Sequence, residues 1–439
     1  VDTDPKWGVM VTGGSWSVHT SFTQLSQAGA AGRTVIIDAA SKLMGVPAKA
    51  CSAENGVVSA GDRSLTFAEI VSNGDFSRSI SEEELAAMPV KTAAQRNIIG
   101  QNLQNRDVEA KSQGDAVYGL DTELPGMAYA MPLLPPTRYG SRIVAIDDSA
   151  AKSIAGYIGA VQINDPTQTV QACVVVAAET MPAALKAAKA VRVEWVPGPT
   201  ALVTEADIVA EGERLAADPE QGALFVNEGD VLAAKAQASV ALSATYTTST
   251  ALHFTMEPQN ALVEFDSEGR CHIHAGNQWQ SLILPVLAQA LEMPEADIVI
   301  HQYYLGGGYG RRLFGDQMIP AALAARSLGR PVKLIFDRAS DSRFDCVRSP
   351  SVCTLEAFFD SDGALTGVDH AVVAGWPTKS MAPFFLGPGI DGKGEVDGFS
   401  VNGADHWYTL PSHRVRTMNN ALAQETFLPG WLRAVGPGW

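Results

Sequence analysis

The chain has 439 residues, 46% hydrophobic and 18% charged, with a net charge of −16. That length predicts two or three domains, and the composition is that of a globular chain rather than a disordered one. The acidic balance excludes nucleic acid as a partner. No uninterrupted apolar run of about 18 residues reads as a membrane span, and five cysteines without a C-x-x-C pair exclude a cysteine-paired iron–sulfur cluster or zinc ribbon in this chain.

The odd cysteine count argues against a complete disulfide framework, and the polar start, Val1 to Lys6, does not read as a signal peptide. After Thr12-Gly-Gly-Ser15 a helical run is marked by Leu25, Ala28, Gly29 and Arg33, with a second amphipathic piece at Ala39, Ala40 and Leu43. Polar residues Ser79 to Glu84 lead into a loop. Turn signals follow at Gly119 to Met127, and Cys173–Ala178 reads as a buried strand. Thr180 is the expected N-cap of an alanine-rich helix with Pro182 in its first turn, and Val191 to Trp195 alternates as a strand. Pro197-Gly-Pro199 reads as a linker.

Hairpin turns are expected at Phe265–Gly269 and at Phe359–Gly363, with a helix face at Leu284, Leu287, Ala288 and Leu291 between them. A strand from Asp297 to Leu305 runs into Gly306-Gly-Gly-Tyr-Gly310-Arg-Arg312. A helix with Asp316 near its start and Gly329 at its end comes next, then a strand from Val332 to Phe336. This is a strand, glycine loop, helix, strand unit. The boundaries read as 1–105, 106–200 and 201–439.

The glycine loop is the first candidate for chemistry, because glycines let backbone N–H groups approach an anion. It is not a Walker A loop, which ends in Gly-Lys-Ser/Thr. Nor is it a dinucleotide fingerprint, whose last glycine would stand at Arg311. A tight structural turn explains it about as well. Thr12-Gly-Gly-Ser-Trp-Ser17 interleaves hydroxyls and glycines, which suits phosphate oxygens but also an ordinary capped loop. Arg433-Ala-Val-Gly436 joins a guanidinium to a glycine turn, an anion clamp or a surface arginine. Cys271-His272-Ile-His274 places two histidines on one strand face, too few for a metal site. His253 reads as a packed histidine, and no Ser/His/Asp arrangement is defensible from order alone.

Taken in order, these motifs resemble the large subunit of xanthine-oxidase-like molybdenum hydroxylases, in the branch of isoquinoline oxidoreductase beta subunits and membrane-associated aldehyde dehydrogenases. The segments that carry the likeness are Thr12–Val18 (with Trp16 where arginine is usual), Gly114–Gly119 with Leu124–Met127, Met256-Glu-Pro258 with Gly276-Asn-Gln278, Gly306–Arg312, and Arg433–Gly438. The glycine–serine segment precedes the Arg433 loop, as in that branch. The resemblance implies an α+β fold made of a hammerhead domain and portions of the molybdopterin-binding domain. It implies a molybdenum-bearing molybdopterin cytosine dinucleotide, held by Thr12, Gly13, Gly14, Ser15, Ser17, Gly307, Gly308, Tyr309, Gly310, Arg311, Arg433, Ala434, Val435 and Gly436. Gly308 and Tyr309 are favoured over the arginines, which can also pack structurally. Gln278 would hydrogen-bond an oxo group of the metal, and no protein side chain would ligate it.

The implied reaction is oxidative hydroxylation. Aldehydes are the first expectation, from the likeness at Ala434 to Trp439, and an N-heterocycle is the second. Electrons would leave through [2Fe–2S] clusters of a small partner subunit, with a cytochrome c subunit as a further candidate. The implied catalytic glutamate lies in a remaining segment of the large subunit, beyond Trp439. Glu257, in the strand-pair motif, is expected to have a packing or hydrogen-bonding role. The location implied is periplasmic, membrane-associated through a partner, with the cytoplasm as alternative. Two rival classes stand beside this one: a non-catalytic assembly module of the same fold, and a nucleotide-binding protein, which Arg311 argues against.

Overall fold

The computed structural model describes residues 8–76 and 78–436. The polar start at Val1 to Lys6 and the loop end at Pro437, Gly438 and Trp439 lie outside the described residues. The chain divides into two compact units, one of Thr12–Asp115 and one of Val1–Val11 with Ala116–Trp439. The break falls at 115/116, where the sequence reading drew it at 105/106. The reading's second boundary, at 200/201, runs through the larger unit.

In the Thr12–Asp115 unit, a single helix spans Phe22–Met44 where two pieces were expected. Gly29 and Gly32 cost helix stability without ending it, because Ala39, Ala40 and Met44 bury against Val58, Ala60 and Ile70. Gly45, in the left-handed conformation, caps it. The polar stretch before residue 84 nucleates a further short helix, Glu82–Ala86, through a capping box from Ser81.

The larger unit is built on two mixed sheets. In chain order their strands are β1 (Ala128–Leu133), β2 (Tyr157–Gln162), β3 (Val174–Ala178), β4 (Ala223–Glu228), β5 (Val240–Thr248), β6 (Asn260–Phe265), β7 (Cys271–Ala275), β8 (Ile298–Gln302), β9 (Val332–Ile335), β10 (Ser351–Phe359), β11 (Leu365–Ala374) and β12 (His413–Asn419). The seven-stranded sheet runs β8-β7-β6-β9-β1-β3-β2, and the five-stranded sheet runs β5-β10-β11-β12-β4. The first sheet therefore takes strands from both sides of residue 200. Its core stacks Ile283, Leu284 and Leu287 of helix Gln280–Leu291, and the alanines of helix Met318–Leu328, on Val263, Ile273 and Leu334. The apolar run 174–178 is a fully buried strand, and Thr180 caps the helix Met181–Ala190, as its sequence predicts.

Pro197-Gly-Pro199 is a packed corner rather than a loose linker. A Cβ on Gly198 would stand 1.9 Å from the Tyr139 carbonyl oxygen, and the Gly198 N–H donates to Thr137 Oγ1. On the face of the seven-stranded sheet away from those two helices, His272 and His274 of β7 meet His301 of β8. His272 Nδ1 lies 3.0 Å from His301 Nε2, and the rings of His274 and His301 stack at 4.4 Å. Burial, then the neighbouring His301 and His272, push His274 down to about 4. His370 of β11 is likewise pushed down to about 4, by burial and by His413.

A histidine that resists protonation in the folded chain makes stability fall with pH. Above about 6.5 neither state takes the proton. Below it the unfolded chain binds protons that the folded chain refuses, until the pH reaches about 4. The thermal midpoint therefore drops between pH 6.5 and 4, and the drop is smaller in His274→Gln. Melting curves across that range check this, and equal slopes for the two proteins would contradict it.

Candidate functional site

The glycine loop joins β8 to helix Met318–Leu328, and a carboxylate holds its entrance. Glu257 accepts four hydrogen bonds: at Oε1 from Leu120 N–H and Asn260 Nδ2, both 2.9 Å, and at Oε2 from Gly306 N–H at 2.8 Å and Arg312 Nη2 at 2.9 Å. The Glu257 N–H in turn donates to the Gly306 carbonyl. Gly306 must be glycine, since a Cβ there would stand 2.2 Å from that of Glu257. Arg312 is fully buried and also donates to the Gly307 and Glu257 carbonyls. Both oxygens of Glu257 are thus committed to hydrogen bonds within the protein.

Gln278 holds the other side. Its Oε1 accepts from the N–H groups of Gly310 and Arg312, both at 3.3 Å, and its own N–H donates to the Arg312 carbonyl. Gly307, Tyr309 and Gly310 have positive φ; Gly308 does not. Close approach requires Gly308 instead, because a Cβ there would lie 2.6 Å from Gln278 Oε1. At Gly310, φ is 112° and a Cβ would fall 1.5 Å from the Trp431 carbonyl oxygen. Among the described residues, the N–H groups of Gly307, Gly308 and Tyr309 donate to no protein acceptor.

The Arg433 loop closes on the same place. Arg433 N–H donates to the Tyr309 carbonyl at 2.8 Å, and its guanidinium stacks 4.3 Å from the centre of the Tyr309 ring. Arg348 bonds the Leu432 and Arg433 carbonyls from behind. Ala434 has a φ of 65°, Val435 packs beside Trp431, and Gly436 N–H donates to Asn402 Oδ1. Gln278, residues 306–312 and residues 431–436 therefore form one site. Thr12, Gly13, Gly14, Ser15 and Ser17 belong to the other unit. There Thr12 to Ser15 lead into the short helix Trp16–His19, which contains Ser17, with Ser15 at φ 59°.

Arg311, expected among the cofactor-binding residues, turns inward. It is 1% exposed and pairs with Asp316 at 2.8 Å and Asp345 at 3.1 Å. Arg138 reaches Asp316 from the opposite side, also at 2.8 Å. Burial opposes ionisation of Asp316, but the two guanidiniums hold it below the usual carboxylate range. Asp345 also accepts from the backbone and ring of His253, whose Nε2 meets the Trp431 carbonyl at 2.9 Å. His253, Asp345 and Cys346 could by spacing hold a metal ion. Arg311 already meets that carboxylate, however, and burial pushes the Cys346 thiol up to about 12, away from the thiolate a metal needs. His253 and Asp345 carried no sequence signal as a pair, since 92 residues separate them.

Removing the Glu257 charge leaves Arg312 buried without its partner, a class of change that costs about 3 kcal/mol or more. Urea denaturation of Glu257→Gln reads that loss as a lower midpoint. Unchanged stability with an altered pH–rate profile would instead make Glu257 a proton carrier.

Residues 216–382 match the family described as molybdopterin cofactor-binding domain. The chain is 47% identical, over its whole length, to a protein of Gluconacetobacter polyoxogenes named membrane-bound aldehyde dehydrogenase [pyrroloquinoline-quinone], and covers 57% of it. It is 26% identical to the isoquinoline 1-oxidoreductase subunit beta of Brevundimonas diminuta, over 86% of this chain and 52% of that one. The chain thus spans little more than half the length of these relatives. Among solved structures, the aldehyde oxidoreductase of Desulfovibrio gigas superposes with a TM-score of 0.58 at 19% identity, over 75% of this chain and 39% of that one. Residues 216–382 thus carry a molybdopterin cofactor-binding domain, and the chain as a whole is similar in sequence and in fold to the xanthine-oxidase-like molybdenum hydroxylases.

Proposed function

We propose that this chain is the cofactor-binding part of a molybdenum-dependent enzyme that oxidises aldehydes to carboxylic acids. The observation that carries the cofactor assignment is the row of three backbone N–H groups, Gly307 to Tyr309, with an exposed arginine stacked beside it. Such a row suits the oxygens of a pyrophosphate or pterin edge. Gln278, whose Oε1 accepts from two loop amides, would hydrogen-bond an oxo group of the metal. Ala434, Val435 and Gly436 continue the loop that carries Arg433 and would line the same cofactor edge. When bound, the molybdenum centre supplies two-electron oxidation of the substrate carbon. By its likeness in sequence, the Thr12–Ser17 segment of the other unit is a further phosphate-binding candidate, and cytosine is the appended base proposed.

The aldehyde reading rests on the 47% identical relative, whose name carries that activity. Hydroxylation of an N-heterocycle is the second reading, favoured by the likeness to the isoquinoline enzyme. Electron export through a [2Fe–2S] partner is part of the same proposal, supported by the lack of clustered cysteines among the described residues. No helix of the described residues is long and apolar enough to cross a membrane, while that relative is named membrane-bound. A periplasmic enzyme anchored through a partner, such as a cytochrome c subunit, accounts for both. By sequence likeness the hammerhead is assigned to 106–200, between the 1–105 and 201–439 portions, although its strands share the seven-stranded sheet with strands beyond residue 200.

Two measurements test the proposal. Metal and nucleotide analysis of the purified complex is expected to find molybdenum, a pterin and CMP. Pyrroloquinoline quinone without molybdenum would overturn it, and turnover of isoquinoline but not of aldehydes would favour the second reading. Arg433→Ala is expected to weaken cofactor retention about 10–100-fold, the loss of a charge-assisted contact. Its thermal midpoint is expected to stay near that of the parent, because Arg433 is exposed. Full molybdenum content in that variant would remove the arginine from the cradle.

A further inference from the structure

The two edges of the five-stranded sheet are treated differently. At β4 the chain covers its own edge: Ile390 N–H donates to the Leu224 carbonyl, from the turn between the paired segments Gly387–Pro388 and Glu395–Val396. At β5 nothing among the described residues pairs beyond the strand. This edge is nine residues long and reads Val-Ala-Leu-Ser-Ala-Thr-Tyr-Thr-Thr, without a charge, a proline or a glycine. Natural sheets usually protect such an edge with lysine, proline or a bulge.

One face beside that edge is also bare. The register sets Leu242 against Ala357, and Tyr246 against Cys353. Val240, Leu242 and Tyr246 are 53%, 59% and 59% exposed, and Leu355, Ala357 and Phe359 are half-buried beside them. Over β11 and β12 the same face is filled by Val401 and Ala404, packed on Val372 and Val415. The cover stops short of β5. On the opposite face, helix Glu205–Ala217 packs on Val352 and Val373.

We infer that β5 is a docking strand, completed by an extended segment of the additional polypeptide that the longer relatives carry. That segment adds as a sixth strand and lays alternate apolar side chains over Leu242, Tyr246 and Phe359. Two observations choose this occupant. The stretch represented here covers 57% and 52% of the two matched relatives, which carry the rest as additional chain. A second copy is disfavoured, because two chains of charge −16 repel, and the uncharged strand offers no countercharge. The inference does not depend on the cofactor assignment.

The test uses the native assembly, with a photo-crosslinking phenylalanine analogue in place of Tyr246 and peptide mapping by mass spectrometry. The expected crosslink is to large-subunit sequence outside these 439 residues, with amide exchange at Val240–Thr248 slowed at least 10-fold relative to the double variant Leu242→Lys, Tyr246→Lys. A crosslink to a second copy, to residues 12–115 or to an unrelated protein would overturn the inference. Fast exchange without any crosslink would overturn it too. Both substituted side chains are exposed, so the variant keeps its fold; equal protection in variant and parent would also defeat the proposal.

Discussion

The Glu257 carboxylate is the contact on which the site depends. Its two oxygens gather the 118–122 turn, the first amide of the glycine loop and the Arg312 guanidinium into one cluster. A buried carboxylate is costly unless its lone pairs are met, and here four donors meet them. The opposite charge is equally well used, since Arg312 ties the loop's Gly307 carbonyl to the backbone of Glu257. The loop's shape is thus set by ionic hydrogen bonds rather than by apolar packing, which a run of glycines cannot provide.

A second charged network lies behind the first and supports the other loop. Arg138, Arg311 and Asp316 alternate in charge, and both guanidiniums lie over the Phe344 ring. Through Asp345 and His253 this network reaches the Trp431 carbonyl, which lies against Gly310. The two loops are therefore linked behind the site as well as across Tyr309 and Arg433.

What the sequence made legible was local. The strand, glycine loop, helix, strand order follows from periodicity and from Gly329, whose φ of 61° ends the helix. Gln278 was legible through its motif, and the structure gives it a reason: its carbonyl reads two loop amides. Partners distant in the chain were not legible. Arg312 finds Glu257 across 55 residues, and Arg138 finds Asp316 across 178. No spacing rule could say that Arg311 points inward while Arg433 points out. The helix Phe22–Met44 reads as two amphipathic pieces in sequence, and burial of Ala39, Ala40 and Met44 against distant residues joins them into one.

The unsatisfied amides of Gly307, Gly308 and Tyr309 have a thermodynamic consequence. Left-handed geometry at Gly307, Tyr309 and Gly310 is enforced by bonds made within the protein, before any ligand arrives. The ordering entropy of the loop is thus charged to folding, and a ligand that used these amides would meet a backbone already set, with little further ordering needed.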